Sequence, residues 1–241
     1  VLGRIHNGEE AKKACRAIRG AGFDNFNIDL MHGLPGQVTA DAVADLRAAL
    51  DFSPTHLSLY QLTIEPNTAF AANPPVLPDE EVLWDIRCAV QDLACEAGFE
   101  HYEVSAFARP GYRCRHNLNY WEFGDYFGIG AGAHGKITTE RGVVRTQRTR
   151  QPVNYLARTD IHATQYQLSD SHLGAECLMN GLRLKSGISY ARFRERTGME
   201  PVKFREAYLI EADRLNMLKP ERFQTSALGW RHLNHILEML I

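Results

Sequence analysis

The densest group of chemically capable side chains is the hexapeptide His116-Asn117-Leu118-Asn119-Tyr120-Trp121, written here as HNxxYW. One ring nitrogen of a histidine can ligate haem iron while a neighbouring group orients the other. The rings of Tyr120 and Trp121 offer flat apolar surface to a macrocycle. Two interpretations stay open from these residues: a haem site, or a core-packing Tyr-Trp pair beside a solvent-facing His116. Cys114 could add a second soft ligand or simply pack nearby.

A carboxylate and two hydroxyl groups come at the ends of predicted strands. Asp29 lies near the end of a strand over residues 26–31, and Tyr60 and Thr63 lie at the end of a strand over residues 57–62. In parallel β/α architectures the carboxyl ends of the strands carry the site-forming loops. Asp29 could accept hydrogen bonds from a ribose hydroxyl or an amine, or be a buried carboxylate satisfied by the protein. Tyr60 and Thr63 face the same choice between packing and ligand contact.

The glycine-rich run of residues 130–135 matches the letters of the G-x-G-x-x-G dinucleotide fingerprint. That fingerprint requires a strand before it and a helix after it. The residues that follow predict a hairpin around residues 140–142 instead, so we reject a dinucleotide site. For the arginines of this stretch we expect a solvated hairpin face, with carboxylate or nucleic-acid binding as alternatives; they are Arg141, Arg145, Arg148 and Arg150.

The first half of the chain alternates helix and strand. Helices are predicted over residues 9–21, from a cap at Thr39, and from Asp79 to Ala97. Strands are predicted over residues 26–31, 57–62 and 102–107. Strands separated by helices of this length indicate parallel β-α units. Three units are too few for a closed barrel, so the fold class is α/β, with part of a β/α barrel or an open sheet.

The last part of the chain has a helical pattern. Helices are predicted over residues 190–197, 203–215 and 228–240, and together they suggest a small, mostly helical domain of winged-helix type. We therefore expect two domains, residues 1–165 and 166–241.

Composition excludes several classes of protein. The chain has 241 residues, of which 44% are hydrophobic and 23% charged, and these are ordinary globular values. A net charge of -2 argues against a general polyanion binder. The five cysteines are scattered and form no C-x-x-C pair, which indicates reduced thiols in a cytosolic protein rather than a zinc or thioredoxin-type site. We expect Cys15, Cys88 and Cys95 to pack as small hydrophobic residues.

Taken together, these segments resemble the radical S-adenosylmethionine (SAM) haem chaperone family, which includes proteins similar to oxygen-independent coproporphyrinogen III oxidase. HNxxYW marks the chaperone branch, and the Gly-Leu-Pro-Gly-Gln sequence of residues 33–37 is shared by both branches. The resemblance runs through nearly the whole chain, and its other segments are residues 2–6, 22–31, 57–60, 65–68, 102–105, 130–135 and 180–183.

The resemblance implies a partial β/α barrel that binds SAM at the strand ends. It implies that haem is bound and passed to haem-accepting respiratory proteins from the cytoplasm, by a protein that could dimerise or lie at the inner membrane face. No nucleic-acid partner is expected, because the net charge argues against a polyanion binder and stacking aromatic residues are not interleaved with the arginines. The implied SAM-binding residues are Arg4, Asp29, Tyr60, Thr63 and His134. The implied haem-binding residues are Asn117, Tyr120, Trp121 and His116, with His116 as ligand to the iron.

The chain departs from this family in one respect. Family members hold a [4Fe–4S] cluster with three cysteines in a C-x3-C-x2-C loop, and this chain carries no such loop. We therefore expect the cluster only in a longer parent protein, expect this chain to be catalytically inactive, and assign no catalytic residue to it. The alternative function, by the same resemblance, is oxidative decarboxylation of coproporphyrinogen III.

Overall fold

The computed structural model describes residues 7–157 and 162–240. Packing divides the chain into two compact units, one up to Cys114 and one from Arg115. These compact units do not test the domain boundary predicted after residue 165, which stays a prediction. The elements of the first unit are α1 (Gly8–Gly20), β1 (Asn27–His32), α2 (Thr39–Leu50), β2 (His56–Gln61), α3 (Ala69–Ala72), α4 (Glu80–Glu96), β3 (Glu100–His101) and β4 (Ala106–Ala108).

The first unit is a four-stranded sheet in the order β1-β2-β4-β3, with helices packed on one face. Strands β1 and β2 are parallel, as predicted. Two alternate residues of β2, Leu57 and Leu59, belong to a buried cluster. The cluster also contains Leu46 of α2 and Ile86 and Val90 of α4. Burying one face of each strand is the main source of stability for a sheet of this kind.

The third predicted strand is wrong in both extent and direction. Residues 102–105 form an irregular turn, and the strand β4 that follows runs antiparallel to β2. Glu100 and His101 form a short strand that pairs antiparallel with β4, so the chain turns back on itself at this point. A hairpin therefore replaces the parallel β-α unit, because the connection between β3 and β4 is too short for a crossover.

The two helices predicted to begin at Thr39 and Asp79 begin in different ways. The Asp79 side chain accepts a hydrogen bond from the Val82 amide at 2.9 Å and caps α4, the helix predicted from Asp79. Thr39 is not a cap but the first residue of α2, which begins after Val38. Asp41 accepts a hydrogen bond from the Val38 amide at 3.2 Å and so satisfies that end of the helix.

The second unit joins an antiparallel sheet to a group of helices. The elements of the second unit are α5 (Arg115–Trp121), β5 (His134–Thr139), β6 (Gly142–Arg148), α6 (Pro152–Ala157), β7 (His162–Gln167), α7 (Asp170–Gly181), α8 (Tyr190–Thr197), α9 (Pro201–Tyr208), α10 (Ile210–Arg214), α11 (Ala227–Arg231) and α12 (Leu233–Glu238). The hairpin predicted around residues 140–142 is confirmed, since β5 and β6 pair antiparallel. The helix predicted over residues 190–197 is confirmed as α8.

The other two predicted C-terminal helices are each interrupted. The helix predicted over residues 203–215 divides at Leu209 into α9 and α10, and that over 228–240 divides at His232 into α11 and α12. Arg205, buried in α9, pairs with Asp213 of α10 and donates to the Lys219 carbonyl at 2.7 Å. This buried guanidinium therefore joins α9 to α10 and to the segment that follows α10.

Two cationic side chains of the antiparallel sheet, Lys136 and Arg145, each form an ion pair. Lys136 is 1% exposed, donates to Asp125 at 2.8 Å and lies 4.1 Å from the centre of the Phe123 ring. Burial lowers the pKa of Lys136, and the Asp125 carboxylate opposes that shift. Arg145 pairs with Glu176 of α7 and donates to the Tyr126 hydroxyl at 2.7 Å, so the solvated face predicted for this arginine is wrong.

Among the described residues, no helix is both long enough and apolar enough to cross a membrane.

Gly229 of α11 gives a test of helix packing in the second unit. A Cβ at this position would lie 1.9 Å from the Met217 carbonyl oxygen, whereas a Cβ on Gly20 of α1 would meet nothing within 4 Å. We expect Gly229→Ala to lower the free energy of unfolding by about 1–3 kcal/mol, because backbone must move to admit the methyl group. Urea denaturation measures this change, and Gly20→Ala, expected to change it by about 0.5 kcal/mol or less, is the control. Equal free energies of unfolding for Gly229→Ala and the wild type would contradict the close approach of Gly229 to the Met217 carbonyl.

Buried His32, the last residue of β1, gives a test of pH dependence. Burial, and to a lesser extent the Arg87 charge, lowers the pKa of His32 from 6.5 to about 4. Between these pH values the unfolded chain therefore binds more protons than the folded chain. Neutral, buried His32 thus contributes about 3 kcal/mol to the free energy of unfolding. This contribution is complete above pH 6.5 and is lost as the pH falls towards 4. We expect His32→Gln to flatten the dependence of unfolding free energy on pH in that window. Exposed His235→Gln is the control, and identical pH profiles for wild type and His32→Gln would contradict the prediction.

Candidate functional site

One face of the first sheet is apolar and the other is polar. Ile28 and Leu30 of β1 pack with the buried cluster under the helices. The intervening Asn27 and Asp29 are exposed and stand in register with His56 and Ser58 of β2. Because successive side chains of a strand point to opposite faces, the polar residues of both strands share the face opposite the helices.

Asp29 presents an exposed carboxylate on this polar face. Asn27 donates to its Oδ1 through Nδ2 at 2.6 Å. Within the part of the chain that the structure describes, Oδ2 has no hydrogen-bond partner. The alternative of a buried aspartate is therefore wrong. An exposed carboxylate oxygen can accept hydrogen bonds from hydroxyl groups of a ligand.

Asn27 is bonded to His56, which is bonded in turn to Tyr102; neither His56 nor Tyr102 was predicted as a site residue. His56 Nδ1 lies 2.7 Å from Asn27 Oδ1, and His56 Nε2 lies 2.8 Å from the Tyr102 hydroxyl. Burial lowers the pKa of His56, and the Asp29 charge opposes that shift. Alternation along β2 could have placed His56 on the face of Tyr60, but Tyr102 lies in the turn that was predicted as a strand.

Tyr60 and Thr63 are only partly brought to this face. Tyr60 stands in register with Met31, two residues beyond the pair of Asp29 with Ser58, and its side chain is half-buried. Thr63 lies after the end of β2, is exposed and has its hydroxyl 3.1 Å from a Glu65 carboxylate oxygen. Their contact with a ligand stays a prediction. Arg4, also predicted to bind SAM, lies outside the described residues.

His134, the remaining residue predicted to bind SAM, is the first residue of β5 in the second unit. Its side chain is exposed. The strand that begins here takes the place of the helix that a dinucleotide fingerprint needs. Gly128 lies close behind, where a Cβ would be 2.6 Å from the His134 backbone. The glycine at this point therefore permits close approach of two backbone segments.

HNxxYW forms the helix α5, with the His116 side chain exposed. The His116 ring contacts the Tyr120 ring edge-to-face, with centres 4.8 Å apart. Among the described residues, neither ring nitrogen of His116 has a hydrogen-bond partner. The core-packing alternative combined a buried aromatic pair with a solvent-facing histidine. The exposed His116 fits that alternative as well as a haem ligand, so its role stays a prediction.

The aromatic residues of the motif, Tyr120 and Trp121, each contact a side chain outside the motif. Tyr120 stacks obliquely on Tyr126 at 4.3 Å between ring centres, and Arg183 lies over the Trp121 ring at 5.6 Å. Asn117, Tyr120 and Trp121 are half-buried rather than fully enclosed. An aromatic surface partly open to solvent is compatible with a flat apolar ligand beside His116.

The cysteines do not assemble into a metal site in the described residues. No group of three or more His, Cys, Asp or Glu side chains is placed to hold a metal ion there. Buried Cys177, whose pKa is raised to about 12 by burial, is a protonated thiol. Cys15 and Cys88 are half-buried, but Cys95 is exposed, so its predicted packing is wrong. These residues do not fit an iron–sulfur cluster, and we assign none to them.

Comparison with known proteins gives close relatives over the whole chain. The heme chaperone HemW of Escherichia coli (strain K12) is 48% identical over 255 residues, covering 100% of this chain and 64% of the relative. The heme chaperone HemW of Haemophilus influenzae is 42% identical over 243 residues, covering 100% of this chain and 63% of the relative. The chain thus spans a little under two thirds of the length of each.

A family match and a solved structure agree with these relatives. Residues 168–232 match the HemN C-terminal domain family. The structure of coproporphyrinogen III oxidase (HemN) from Escherichia coli, a radical SAM enzyme, superposes with a TM-score of 0.77 at 16% identity, covering 99% of this chain and 60% of that chain. At that identity the likeness establishes the fold, and the predicted α/β fold class is confirmed. Over its whole length the chain is similar in sequence to heme chaperone HemW proteins, and the resemblance that its motifs predict is confirmed.

Proposed function

We propose that the protein containing this chain binds haem and passes it to acceptor proteins, and that it binds SAM at the polar face of the first sheet. The observation that carries the haem proposal is the exposed His116 ring, whose nitrogens are uncommitted among the described residues. Relatives at 48% and 42% identity that are named heme chaperones support it.

The chemistry of His116 suits a ligand that would hold haem iron. A neutral imidazole donates its nitrogen lone pair to haem iron, and the iron supplies the coordination centre when haem is bound. Tyr120 contacts the His116 ring edge-to-face and restrains its orientation. Trp121, held under Arg183, and Asn117 would border the macrocycle. In this proposal the protein contributes orientation and an apolar surface, and it leaves the iron accessible for transfer.

The chemistry of Asp29 suits the nucleoside part of SAM. Its free carboxylate oxygen can accept the hydroxyl groups of a ribose, and Tyr60 lies further along the same face. Thr63, His134 and Arg4 complete the proposed set on the strength of the family resemblance. The described residues do not fit a [4Fe–4S] cluster, and no step is assigned to one.

Partners and location follow from the same proposal. The acceptors would be haem-dependent respiratory proteins, and the protein would act in the cytoplasm or at the inner face of the membrane. Homodimerisation is a further expectation. Oxidative decarboxylation of coproporphyrinogen III remains the alternative function, and HNxxYW favours the chaperone over it.

His116→Ala tests the haem proposal. Titration of the 241-residue chain with haemin should give a saturable Soret shift in the wild type. We expect the variant to bind haemin more weakly by on the order of tenfold or more, because the ligand to the iron is lost. His235→Ala removes an exposed histidine from α12 and should bind like the wild type. Unchanged haemin affinity in His116→Ala would contradict the assignment.

Asp29→Asn tests the SAM proposal. The amide retains an oxygen for Asn27 but loses the negative charge, so we expect SAM affinity to fall by roughly tenfold to a hundredfold, as for charge-assisted hydrogen bonds. Equilibrium dialysis with labelled SAM measures the dissociation constant. Asp51→Asn, at an exposed aspartate after α2, is the matched control. A wild-type chain that does not bind SAM, or equal affinities in wild type and Asp29→Asn, would contradict the proposal.

A further inference from the structure

An unbroken series of hydrogen bonds leads from the backbone of Cys114 to the carboxylate of Asp29. The Cys114 amide donates to the Tyr102 hydroxyl at 3.2 Å, and that hydroxyl lies 2.8 Å from His56 Nε2. His56 Nδ1 lies 2.7 Å from Asn27 Oδ1, and Asn27 Nδ2 donates to Asp29 Oδ1 at 2.6 Å. All five residues belong to the first compact unit.

The carboxylate end of the series, together with a neutral His56, determines the direction of the bonds between Tyr102 and Asp29. A backbone amide only donates, and an ionised carboxylate only accepts. Asn27 must donate to Asp29, so its Oδ1 accepts and His56 Nδ1 carries the proton. A neutral His56 then accepts from the Tyr102 hydroxyl, whose oxygen accepts from Cys114. The series is therefore complete with His56 as the Nδ1–H tautomer of the neutral ring, and burial favours the neutral ring.

Burial differs sharply along the series. His56 and Tyr102 are 6% and 3% exposed, whereas Asn27 and Asp29 at the other end are exposed. The Ser58 hydroxyl adds a second bond to Asn27 Oδ1 at 3.2 Å. An exposed aspartate otherwise samples several rotamers, which binding must restrict at a cost in entropy. A rigid buried end bonded through Asn27 reduces that freedom before a ligand arrives.

We propose that His56 and Tyr102 are positioning residues for Asp29. Through Asn27 they hold Oδ1 of the Asp29 carboxylate and leave Oδ2 directed for ligand hydroxyl groups. Neither residue touches the ligand in this proposal. The inference rests on the proposed binding of the SAM nucleoside at Asp29, and it identifies the residues that prepare that carboxylate.

Tyr102→Phe in the 241-residue chain tests this inference. The change removes one hydroxyl group and retains the buried ring. We expect the SAM dissociation constant to rise roughly threefold to tenfold, the usual effect of one net hydrogen bond. Tyr112→Phe removes a hydroxyl group from a tyrosine that is 45% exposed and should leave SAM affinity unchanged. Haemin affinity should be the same in both variants, which separates positioning of Asp29 from general damage to the fold.

Two further measurements keep the inference testable if Tyr102→Phe folds poorly. In His56→Asn the amide can replace Nδ1 as donor to Asn27, so this variant should retain more SAM affinity than His56→Ala. The ring nitrogen shifts of His56, measured by NMR on wild-type protein, should show the Nδ1–H tautomer. The Nε2–H tautomer, or no difference in SAM affinity between Tyr102→Phe and wild type, would overturn the inference alone. Absence of SAM binding in the wild type would overturn the proposed SAM site and the inference together.

Discussion

The parallel pairing of β1 with β2 is the constraint on which the first unit depends. Its register places Asn27 opposite His56 and Asp29 opposite Ser58, so that Leu57 and Leu59 share the other face and enter the core. A slip of β1 by one residue would turn the Asp29 carboxylate towards the helices and Ile28 and Leu30 towards the polar face. The core and the polar face are therefore two consequences of one register. Changes that weaken the apolar side would also misplace the groups on the polar side.

Two histidines illustrate how the environment decides what a side chain can do. His56 is buried, both of its ring nitrogens are engaged, and burial lowers its pKa. It can position other groups but cannot take a ligand without breaking this series. His116 is exposed, contacts Tyr120 only through the ring, and has uncommitted nitrogens among the described residues. The same imidazole chemistry thus serves orientation in one unit and is available for coordination in the other.

Buried cations organise the second unit. Lys136 lies against Phe123 and pairs with Asp125, and Arg205 binds Asp213 and the Lys219 carbonyl. Removing the acidic partner would leave a buried cation without compensation, which is more costly than losing an exposed ion pair. The Arg205 pair lies within the residues that match the HemN C-terminal domain.

The sequence by itself determined the class of fold, the family resemblance, and the elements with strong local signals. The Asp79 cap, the hairpin around residues 140–142 and the helix Tyr190–Thr197 follow from capping and periodicity, which are local properties. The motifs also identified Asp29 and His116 as candidates. Only the tertiary structure decided that residues 102–105 form a turn before an antiparallel strand, and that Tyr102 reaches His56 across 46 positions in the sequence. Strand direction and contacts of this kind depend on which distant residues pack together, and no local pattern records that.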